Sequence, residues 1–486
     1  MASTISLSLV SHTNVGKTTL ARTLLAQDVG EVRDAPHVTE FADEHLLVRG
    51  EDGERLMLWD TPGFGDSARL VRRLRQSGQP LGWLLSQVWD RLADRGFWSS
   101  QQALRAVREH ADVVLYLVNA AESPEAAGYV APEMEMLRWL DKPVLVLLNQ
   151  LGAPRPPAEE AAEVERWRAH LASLGLVRAV LPMDAFARCW VQERTLLQAV
   201  CRALPGEDGA RMQRLLAAWQ GRRERQFDAA MALLAASLAR CASARLPVAD
   251  VSRLRDMVRR LVRAAGLSRS EDPATLAQQA LAAQLDEEVR TSTGELIALY
   301  GLSGRAEGEV LARVAAHYDT RLPLDEGKAA LLGGTLAGAA AGLKADLVSG
   351  GLTMGGGLLA GGLLGALGAA GAARAVNLVR GVGSGWVGWS DEALAAMTDS
   401  ALLRYLAVAH FGRGRGDWAA GESPPHWRGV VSEVLALRRE ALREACGEAR
   451  NAEGRPHAGE ALQTLLTAAT REALERLYPA ADNPSP

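Results

Sequence analysis

The feature that most constrains this chain is the octapeptide Ser11–Thr18, which reads SHTNVGKT and directly follows the apolar residues Ile5, Leu7, Leu9 and Val10. Glycine, lysine and threonine in this order, between a predicted strand and a predicted helix, are typical of a loop whose backbone N–H groups surround a phosphate. We expect Lys17 to reach the β- and γ-phosphates and the hydroxyl of Thr18 to bind Mg²⁺. Ser11 stands where a glycine is usual, and a residue this small still permits the tight turn.

A second motif, Asp60-Thr61-Pro62-Gly63, lies at the end of the apolar segment 56–59. In nucleotide hydrolases with such a loop, an aspartate at this place holds the water shell of magnesium, and the glycine N–H contacts the γ-phosphate. The turn residues Glu51-Asp52-Gly53 predict a hairpin before that segment. The two motifs therefore predict a site that binds and hydrolyses a nucleotide. The alternative is an ordinary strand-to-helix turn that happens to contain glycine.

The sequence up to residue 205 predicts an α/β domain. Apolar strands at 113–118, 144–148 and 177–181 alternate with helical segments, which favours a mostly parallel sheet with helices on both faces. Together with the loop, this is the layout of a P-loop nucleotide hydrolase. The predicted nucleotide contacts from the loop and its helix are Ser11, His12, Thr13, Asn14, Val15, Gly16, Lys17, Thr18 and Thr19.

After position 206, Ala, Leu and Arg recur at helical spacing and predict an all-α region. The expected domains are therefore 1–205, 206–328, 329–380 and 381–486. The net charge of −4 gives no overall attraction to nucleic acid, and no specific nucleic-acid motif is evident. The four cysteines lack metal-ligand spacing, and the N-terminus lacks a signal-peptide pattern. We therefore expect a cytoplasmic protein without structural zinc.

The segment 329–373 stands out because it is almost free of charged residues. Residues 347–373 carry none, and at 1.5 Å per residue such a helix is long enough to cross a bilayer. Glycines at four-residue intervals in both arms favour a closely packed hydrophobic hairpin, a glycine zipper. This segment predicts contact with the cytoplasmic membrane, peripheral or integral, or else a hairpin buried within a soluble helical domain. The glycines are Gly334, Gly338, Gly342, Gly357, Gly361 and Gly365.

With these motifs in this order, the first 200 residues resemble the translation-factor-related GTPases of the Era and MnmE type. The whole chain resembles a bacterial GTPase family with a helical C-terminal domain of unknown function. The resemblance implies a GTP-hydrolysing switch that uses Mg²⁺ and rearranges residues 28–40 and 61–67. It also implies that Thr39, at the end of the segment Asp34–Thr39, binds magnesium. A loop threonine without a role is the alternative.

The resemblance also implies how GTP hydrolysis proceeds. Phe64 follows the second motif where Ras-like enzymes carry a water-orienting glutamine, so we expect slow hydrolysis by the isolated protein. Similar GTPases with an asparagine at the position of Asn14 bind K⁺ there, which implies K⁺-stimulated hydrolysis in a nucleotide-dependent homodimer. The implied catalytic residues are Lys17, Thr39 and Gly63, and the implied magnesium ligands are Thr18, Thr39 and Asp60.

The motif that reads guanine departs from the family pattern. After the strand at 144–148, an Asn-Lys-x-Asp sequence is expected, and this chain has Asn149-Gln150-Leu151-Gly152. Asn149 is retained as a nucleotide contact, but the motif lacks the carboxylate that pairs with the guanine edge, so selection against ATP loses its main source. Asp184 either replaces that carboxylate or caps its own loop.

Two other functions fit the same motifs. One is a GTPase of ribosome or RNA assembly, whose arginine-rich helices meet phosphate. The other is a nucleotide-binding scaffold that hardly hydrolyses, since the glutamine and the guanine-reading aspartate are both replaced. The preferred hypothesis is a GTP-dependent switch that couples its nucleotide state to a helical, membrane-associated C-terminal domain.

Overall fold

The computed structural model describes residues 4–26, 42–76, 82, 95–152, 155–185, 189–247, 273–302, 376–380, 385–410, 426–451 and 455–479. The chain forms two compact units, one chiefly of Met1–Glu224 and the other chiefly of Arg225–Ala409 and Ser423–Pro479. The boundaries predicted from the sequence, at 205, 328 and 380, stay predictions.

The first unit contains a six-stranded sheet whose strand order is β2-β3-β1-β4-β5-β6. Strand β2 is antiparallel to β3, and the other neighbouring pairs are parallel. The mostly parallel sheet predicted from the sequence is thus confirmed, and the carboxyl ends of five strands meet at one edge. The strands are β1 (Thr4–Ser11), β2 (Asp43–Arg49), β3 (Arg55–Asp60), β4 (Val113–Asn119), β5 (Val144–Asn149) and β6 (Val177–Pro182).

Helices follow the strands, as alternation of the two element types requires. Helix α2 shows how the sequence places one: the side chain of Asp66 accepts a hydrogen bond from the Arg69 N–H at its N-terminus, and Leu70, Val71 and Leu74 are buried along one face. The helices are α1 (Lys17–Leu25), α2 (Ser67–Leu74), α3 (Arg95–His110), α4 (Val130–Arg138), α5 (Pro157–Leu171), α6 (Trp190–Ala203) and α7 (Gly206–Ser243).

The core of this unit lies on the central strands. Strands β4 and β5 are buried along almost their whole length, as expected of parallel strands that are covered on both faces. Phe64, Phe97, Tyr116 and Trp167 fill the core on one side of the sheet. Because β1 and β3 run in parallel with Leu9 beside Asp60, the two sequence motifs emerge next to each other.

The predicted hairpin before Asp60 is confirmed. It joins β2 to β3 through the turn at 51–53, where Gly53 has a φ of 77°. Glu54 follows the turn and is buried, and its carboxylate accepts two hydrogen bonds from the Arg214 guanidinium of α7, at 2.6 and 3.2 Å. The hairpin is thereby attached to the first part of α7.

The second unit is mainly helical, but the prediction of an all-α region is wrong. Three short strands, β7 (Arg245–Pro247), β8 (Val376–Arg380) and β9 (Gly385–Trp389), form an antiparallel sheet in the order β7-β9-β8. Strand β8 falls inside the segment 329–380 that was predicted to be a helical hairpin. The helices are the C-terminal part of α7, α8 (Pro273–Leu299), α9 (Asp391–Ala409), α10 (His426–Ala436), α11 (Arg439–Arg450) and α12 (Arg455–Leu477).

Several predictions from the sequence lie outside the described residues. They are the glycine-zipper segment 329–373 and the segment Asp34–Thr39. Among the helices that the structure does describe, none is long and apolar enough to cross a membrane. The four cysteines carry free thiols, and Cys189, Cys241 and Cys446 are buried, as expected for isolated thiols.

Candidate functional site

The loop between β1 and α1 has the shape that binding of a phosphate requires. Asn14 and Gly16 both have positive φ, at 65° and 93°, and α1 begins directly after them at Lys17. A Cβ atom on Gly16 would lie 2.7 Å from Nδ2 of Asn149, so glycine is required there both for φ and for space. The N–H groups at the start of α1 therefore face the loop, where a helix N-terminus favours an anion.

Lys17 is held at the floor of this loop. Its side chain is buried, and Nζ donates a hydrogen bond to Oγ of Ser11 at 3.0 Å. Burial lowers the pKa of the ammonium, while the carboxylates of Asp60 and Glu133 oppose that shift. Ser11 therefore does more than permit the tight turn, because its hydroxyl accepts a hydrogen bond from Lys17. No sequence pattern predicts this contact.

Thr18 and Asp60 bring two oxygen ligands together beside Lys17. Oγ1 of Thr18 donates to Oδ2 of Asp60 at 2.6 Å. Asp60 is buried, which raises the pKa of its carboxyl group against the opposing effects of Lys17 and Thr18. Its other oxygen, Oδ1, is buried without a hydrogen-bond partner among the described residues. A hydroxyl and a carboxylate with a spare oxygen fit Mg²⁺, which prefers few protein ligands together with phosphate oxygens.

The segment 61–66 is pinned against the phosphate-binding loop by its backbone. The N–H of Phe64 donates to the carbonyl of Ser11 at 2.8 Å, and the N–H of Thr13 donates to the carbonyl of Phe64 at 3.2 Å. The Phe64 ring is fully buried. A Cβ atom on Gly63 would lie 3.1 Å from both Nζ of Lys17 and Cα of Thr13. Gly63 is therefore packed closely against Lys17 and against the loop at Thr13.

Asn149 ties the end of β5 to the loop. It is fully buried, its Nδ2 donates to the carbonyl of Val15 at 2.7 Å, and its Oδ1 accepts from the N–H of Ala185 at 2.9 Å. Gln150 follows it, and its Nε2 lies 3.4 Å from the carbonyl of Asn14. Asn149 thus braces the loop from the side of the sheet where the base of a nucleotide is expected.

Gly152 stands where the family motif carries its guanine-reading aspartate, and the space around it is unoccupied. Gly152 has a φ of 80°, and nothing lies within 4 Å of where its Cβ would be. Oδ2 of Asp184 accepts the N–H of Leu151 at 2.9 Å, which is the loop-capping geometry. Burial raises the pKa of Glu160, and the nearby charge of Asp184 adds to the shift. The carboxylates of Asp184 and Glu160 therefore both lie near the loop that follows Asn149.

A comparison with protein families decides what kind of domain this is. Residues 6–150 match the family model described as "50S ribosome-binding GTPase", and this range contains the loop, Asp60 and Asn149. The N-terminal domain is a P-loop GTPase domain. Residues 322–478 match a second model, described as a domain of unknown function (DUF3482).

The GTPase domain is similar to GTPase Der from Mycolicibacterium vanbaalenii, at 28% identity over 197 residues. That alignment covers 40% of this chain and 33% of the relative, so the chain spans one third of the curated protein it matches.

Two solved structures of Era are also similar to the chain. One is an Era variant from Aquifex aeolicus bound to GDP and AlF4⁻, with 17% identity and a TM-score of 0.31. The other is Era with MgGDPNP and a fragment of 16S ribosomal RNA, with 17% identity and a TM-score of 0.30. Each match covers 42% of this chain and 58% of the other.

In the GTPase domain, most of the residues predicted from the sequence meet at the carboxyl edge of the sheet. Thr39 lies outside the described residues. Thr19 is buried on α1, and the Asn14 residue is exposed at the mouth of the loop. The residues that the structure brings together are Ser11, Thr13, Val15, Gly16, Lys17, Thr18, Asp60, Gly63 and Asn149.

Sequence reasoning missed Glu133 in the GTPase domain. This residue of α4 is fully buried, and its carboxylate lies within hydrogen-bond distance of Ser67, Tyr116 and His12. The imidazole of His12 stacks on the Tyr129 ring, with centroids 4.7 Å apart. A single glutamate in an amphipathic helix belongs to no motif, so no local signal was available to find it.

Proposed function

We propose that this protein is a Mg²⁺-dependent GTP hydrolase whose nucleotide state is passed to its helical C-terminal region. The observation that carries the proposal is the pair Thr18 and Asp60, which presents a hydroxyl and a buried spare carboxylate oxygen beside Lys17. Such a pair is what a magnesium-nucleotide complex needs at the end of a phosphate-binding loop.

Each residue has a distinct task in this proposal. The loop N–H groups surround the β-phosphate, and Lys17 leaves Ser11 to bind the β- and γ-phosphates. Thr18 and Asp60, together with Thr39 by resemblance, would hold Mg²⁺, which would supply positive charge beside the transferred phosphoryl group. The N–H of Gly63 contacts the γ-phosphate. Phe64 is buried and has no polar group, so it cannot orient the attacking water.

The binding of the nucleotide is tested with fluorescent GDP and ADP in the presence of Mg²⁺. We expect GDP to bind and Lys17→Ala to abolish that binding, because the variant removes the only side chain proposed to contact the β-phosphate. Tighter binding of GDP than of ADP supports guanine selection by the loops around Asn149 and Asp184. Equal affinities would contradict guanine selection, and binding unaffected by Lys17→Ala would contradict the site itself.

We further propose that K⁺ bound at Asn14 supplies the positive charge that an arginine finger provides in other GTPases, when two GTPase domains meet. Asn14 fits this role by its position, since it is exposed at the mouth of the loop. Hydrolysis is therefore expected to be faster in KCl than in NaCl and to rise with protein concentration. Equal rates in the two salts at saturating GTP would refute the role of K⁺. A rate near zero in both would favour a nucleotide-binding scaffold.

A ribosomal partner is a second candidate, favoured by the description of the matched family model. Membrane contact through 329–373 is the alternative that the uncharged sequence of this segment supports. Cell fractionation distinguishes a ribosomal partner from membrane contact. Co-sedimentation with ribosomes that is lost steeply with salt supports the first, and a membrane pellet that resists high salt but dissolves in detergent supports the second.

A further inference from the structure

Glu133 connects two parts of the GTPase domain that must act together on a triphosphate. Its Oε1 lies 2.7 Å from Nδ1 of His12, within the phosphate-binding loop. The same oxygen accepts a hydrogen bond from Oγ of Ser67 at 2.6 Å. Ser67 is the first residue of α2 and directly follows the segment 61–66. One carboxylate oxygen therefore joins the loop to the far end of the segment that contains Gly63.

The other side of the segment 61–66 is fixed as well. Thr61 donates through Oγ1 to the carbonyl of Leu9 at 2.6 Å, and the backbone of Phe64 bonds to Ser11 and Thr13. Gly63 lies between the anchors at Thr61 and Phe64. Glu133 adds a further anchor through Ser67, at the downstream end of the segment.

Packing alone does not account for a carboxylate at this position. Glu133 is fully buried, and removal of a carboxylate from water is costly unless hydrogen bonds compensate. Its neighbours on the same helix, Val130, Met134 and Leu137, are apolar and buried in the core. Tyr116 donates to Oε2 at 2.6 Å from β4 and fixes the carboxylate from the third side.

The same two helices are also joined at the surface, by a contact that does not reach the loop. Arg75 at the end of α2 donates two hydrogen bonds to Glu135 of α4, and both side chains are partly exposed. Attachment of α2 to α4 is thus provided without Glu133. What Glu133 adds to this attachment is the contact with His12.

We propose that Glu133 is a positioning residue for GTP hydrolysis, which holds the phosphate-binding loop and the segment 61–66 in one register through His12 and Ser67. The inference rests on the proposed function, because it assigns the Gly63 N–H to the γ-phosphate. Glu133 itself touches no nucleotide. Its loss should weaken binding of the triphosphate more than binding of the diphosphate. The triphosphate is contacted both by the phosphate-binding loop and by the segment 61–66, whereas the loop alone is sufficient to bind the diphosphate.

The test compares full-length variants in affinity for fluorescent GDP, affinity for a fluorescent non-hydrolysable GTP analogue, and single-turnover hydrolysis with Mg²⁺. For Glu133→Gln we expect the analogue affinity and the hydrolysis rate to fall about tenfold, the scale of one lost charge-assisted hydrogen bond, with GDP affinity nearly unchanged. Ser67→Ala and His12→Phe should shift the same ratio in the same direction. His12→Phe keeps a ring to stack on Tyr129 and removes the Nδ1 contact.

Glu135→Gln is the matched control, since it breaks the surface contact between the same two helices. It should leave the ratio of analogue to GDP affinity at the wild-type value. Circular dichroism checks that every variant is folded. If Glu133→Gln is not folded, Ser67→Ala is used to test the proposal instead.

A ratio and a rate equal to wild type in both Glu133→Gln and Ser67→Ala would overturn the proposal, even if their melting temperatures fell. Failure of the proposed function is a different result: Lys17→Ala would then bind and hydrolyse GTP like wild type.

Discussion

At the scale of single residues, two glycines with similar backbone conformation have different surroundings. Gly16 and Gly53 both have positive φ, at 93° and 77°. A Cβ atom on Gly16 would meet Asn149 at 2.7 Å, whereas a Cβ atom on Gly53 would meet nothing within 4 Å. The first glycine is therefore fixed by conformation and by space, and the second by conformation alone.

This difference predicts distinct effects of Gly16→Ala and Gly53→Ala. Left-handed backbone costs alanine roughly 1–2 kcal/mol at either position. At Gly16 the added carbon also displaces Asn149 from the loop, so we expect GDP affinity to fall about tenfold or more. Gly53→Ala should lower stability alone. Fluorescent GDP titration and urea unfolding measure the two effects, and unchanged GDP affinity in Gly16→Ala would contradict the prediction.

Sequence reasoning found the residues of the site whose roles are set by spacing along the chain. Lys17, Thr18 and Asp60 follow two strands, and parallel pairing of those strands brings them together without further information. It did not find Glu133 or the contact of Ser11 with Lys17. These contacts depend on which side chains meet across elements far apart in the chain, and a single sequence carries no local pattern for that.

At the scale of elements, the strands of the first sheet were predictable and those of the second unit were not. Strands β4 and β5 are continuous apolar runs flanked by helical segments, which is the pattern of buried parallel strands. Strands β8 and β9 have five residues each and lie after a long stretch of Ala, Gly and Leu. Such short segments lack the length that distinguishes a strand from a piece of helix.

Helices α8 and α9 are joined by a buried arginine. Arg404 is 3% exposed, and its guanidinium donates to the carbonyl of Val289 and to the hydroxyls of Ser292 and Thr293, at 2.8 to 3.1 Å. Arg404→Leu is expected to lower the free energy of unfolding of the second unit by about 2–4 kcal/mol, because hydrogen bonds from a charged donor are among the stronger ones.

The control for Arg404→Leu is Arg443→Leu, which removes an exposed ion pair with Glu440 within α11. Its effect on unfolding should be at most about 0.5 kcal/mol. Urea unfolding followed by circular dichroism compares the two variants. Equal losses in both would show that the contacts of Arg404 contribute no more than a surface pair.

The carboxyl group of Asp399 in α9 predicts that the stability of the second unit depends on pH. Burial raises the pKa of its carboxyl group from 3.8 to about 6, against the opposing charges of Arg428 and Arg439. A carboxyl group whose pKa is raised by folding stabilises the folded state at pH values below its ordinary pKa. This stabilisation is lost as the pH rises through about 6. Asp399→Asn avoids the loss, so at pH 7 we expect it to be more stable than wild type by about 3 kcal/mol.

At pH 4 the stability of Asp399→Asn should approach that of wild type, since the wild-type carboxyl group is then largely protonated in the folded state. Glu392→Gln, in the exposed first turn of α9, serves as the control. A carboxylate there stabilises the helix N-terminus, so this variant should be slightly less stable at pH 7. A stability difference for Asp399→Asn that does not change between pH 4 and pH 7 would contradict the assignment to this carboxyl group.

At the scale of the whole molecule, the two compact units match two different family models. The GTPase model matches 6–150 and the model of unknown function matches 322–478, while the chain passes from one unit to the other within α7. The described residues that we propose to bind the nucleotide belong to the first unit. We therefore expect an effect of GTP on the second unit to require a conformational change.

This organisation predicts that GDP stabilises the two units unequally. Differential scanning calorimetry of the full chain should show two transitions, since each unit has its own core. At a free concentration of 100 times its dissociation constant, Mg-GDP should stabilise the first unit by about 2.7 kcal/mol and raise its melting temperature by about 5–11 °C. The other transition should stay in place, and Lys17→Ala should abolish the shift. A single transition that moves as a whole with GDP would show instead that the two units unfold as one cooperative body.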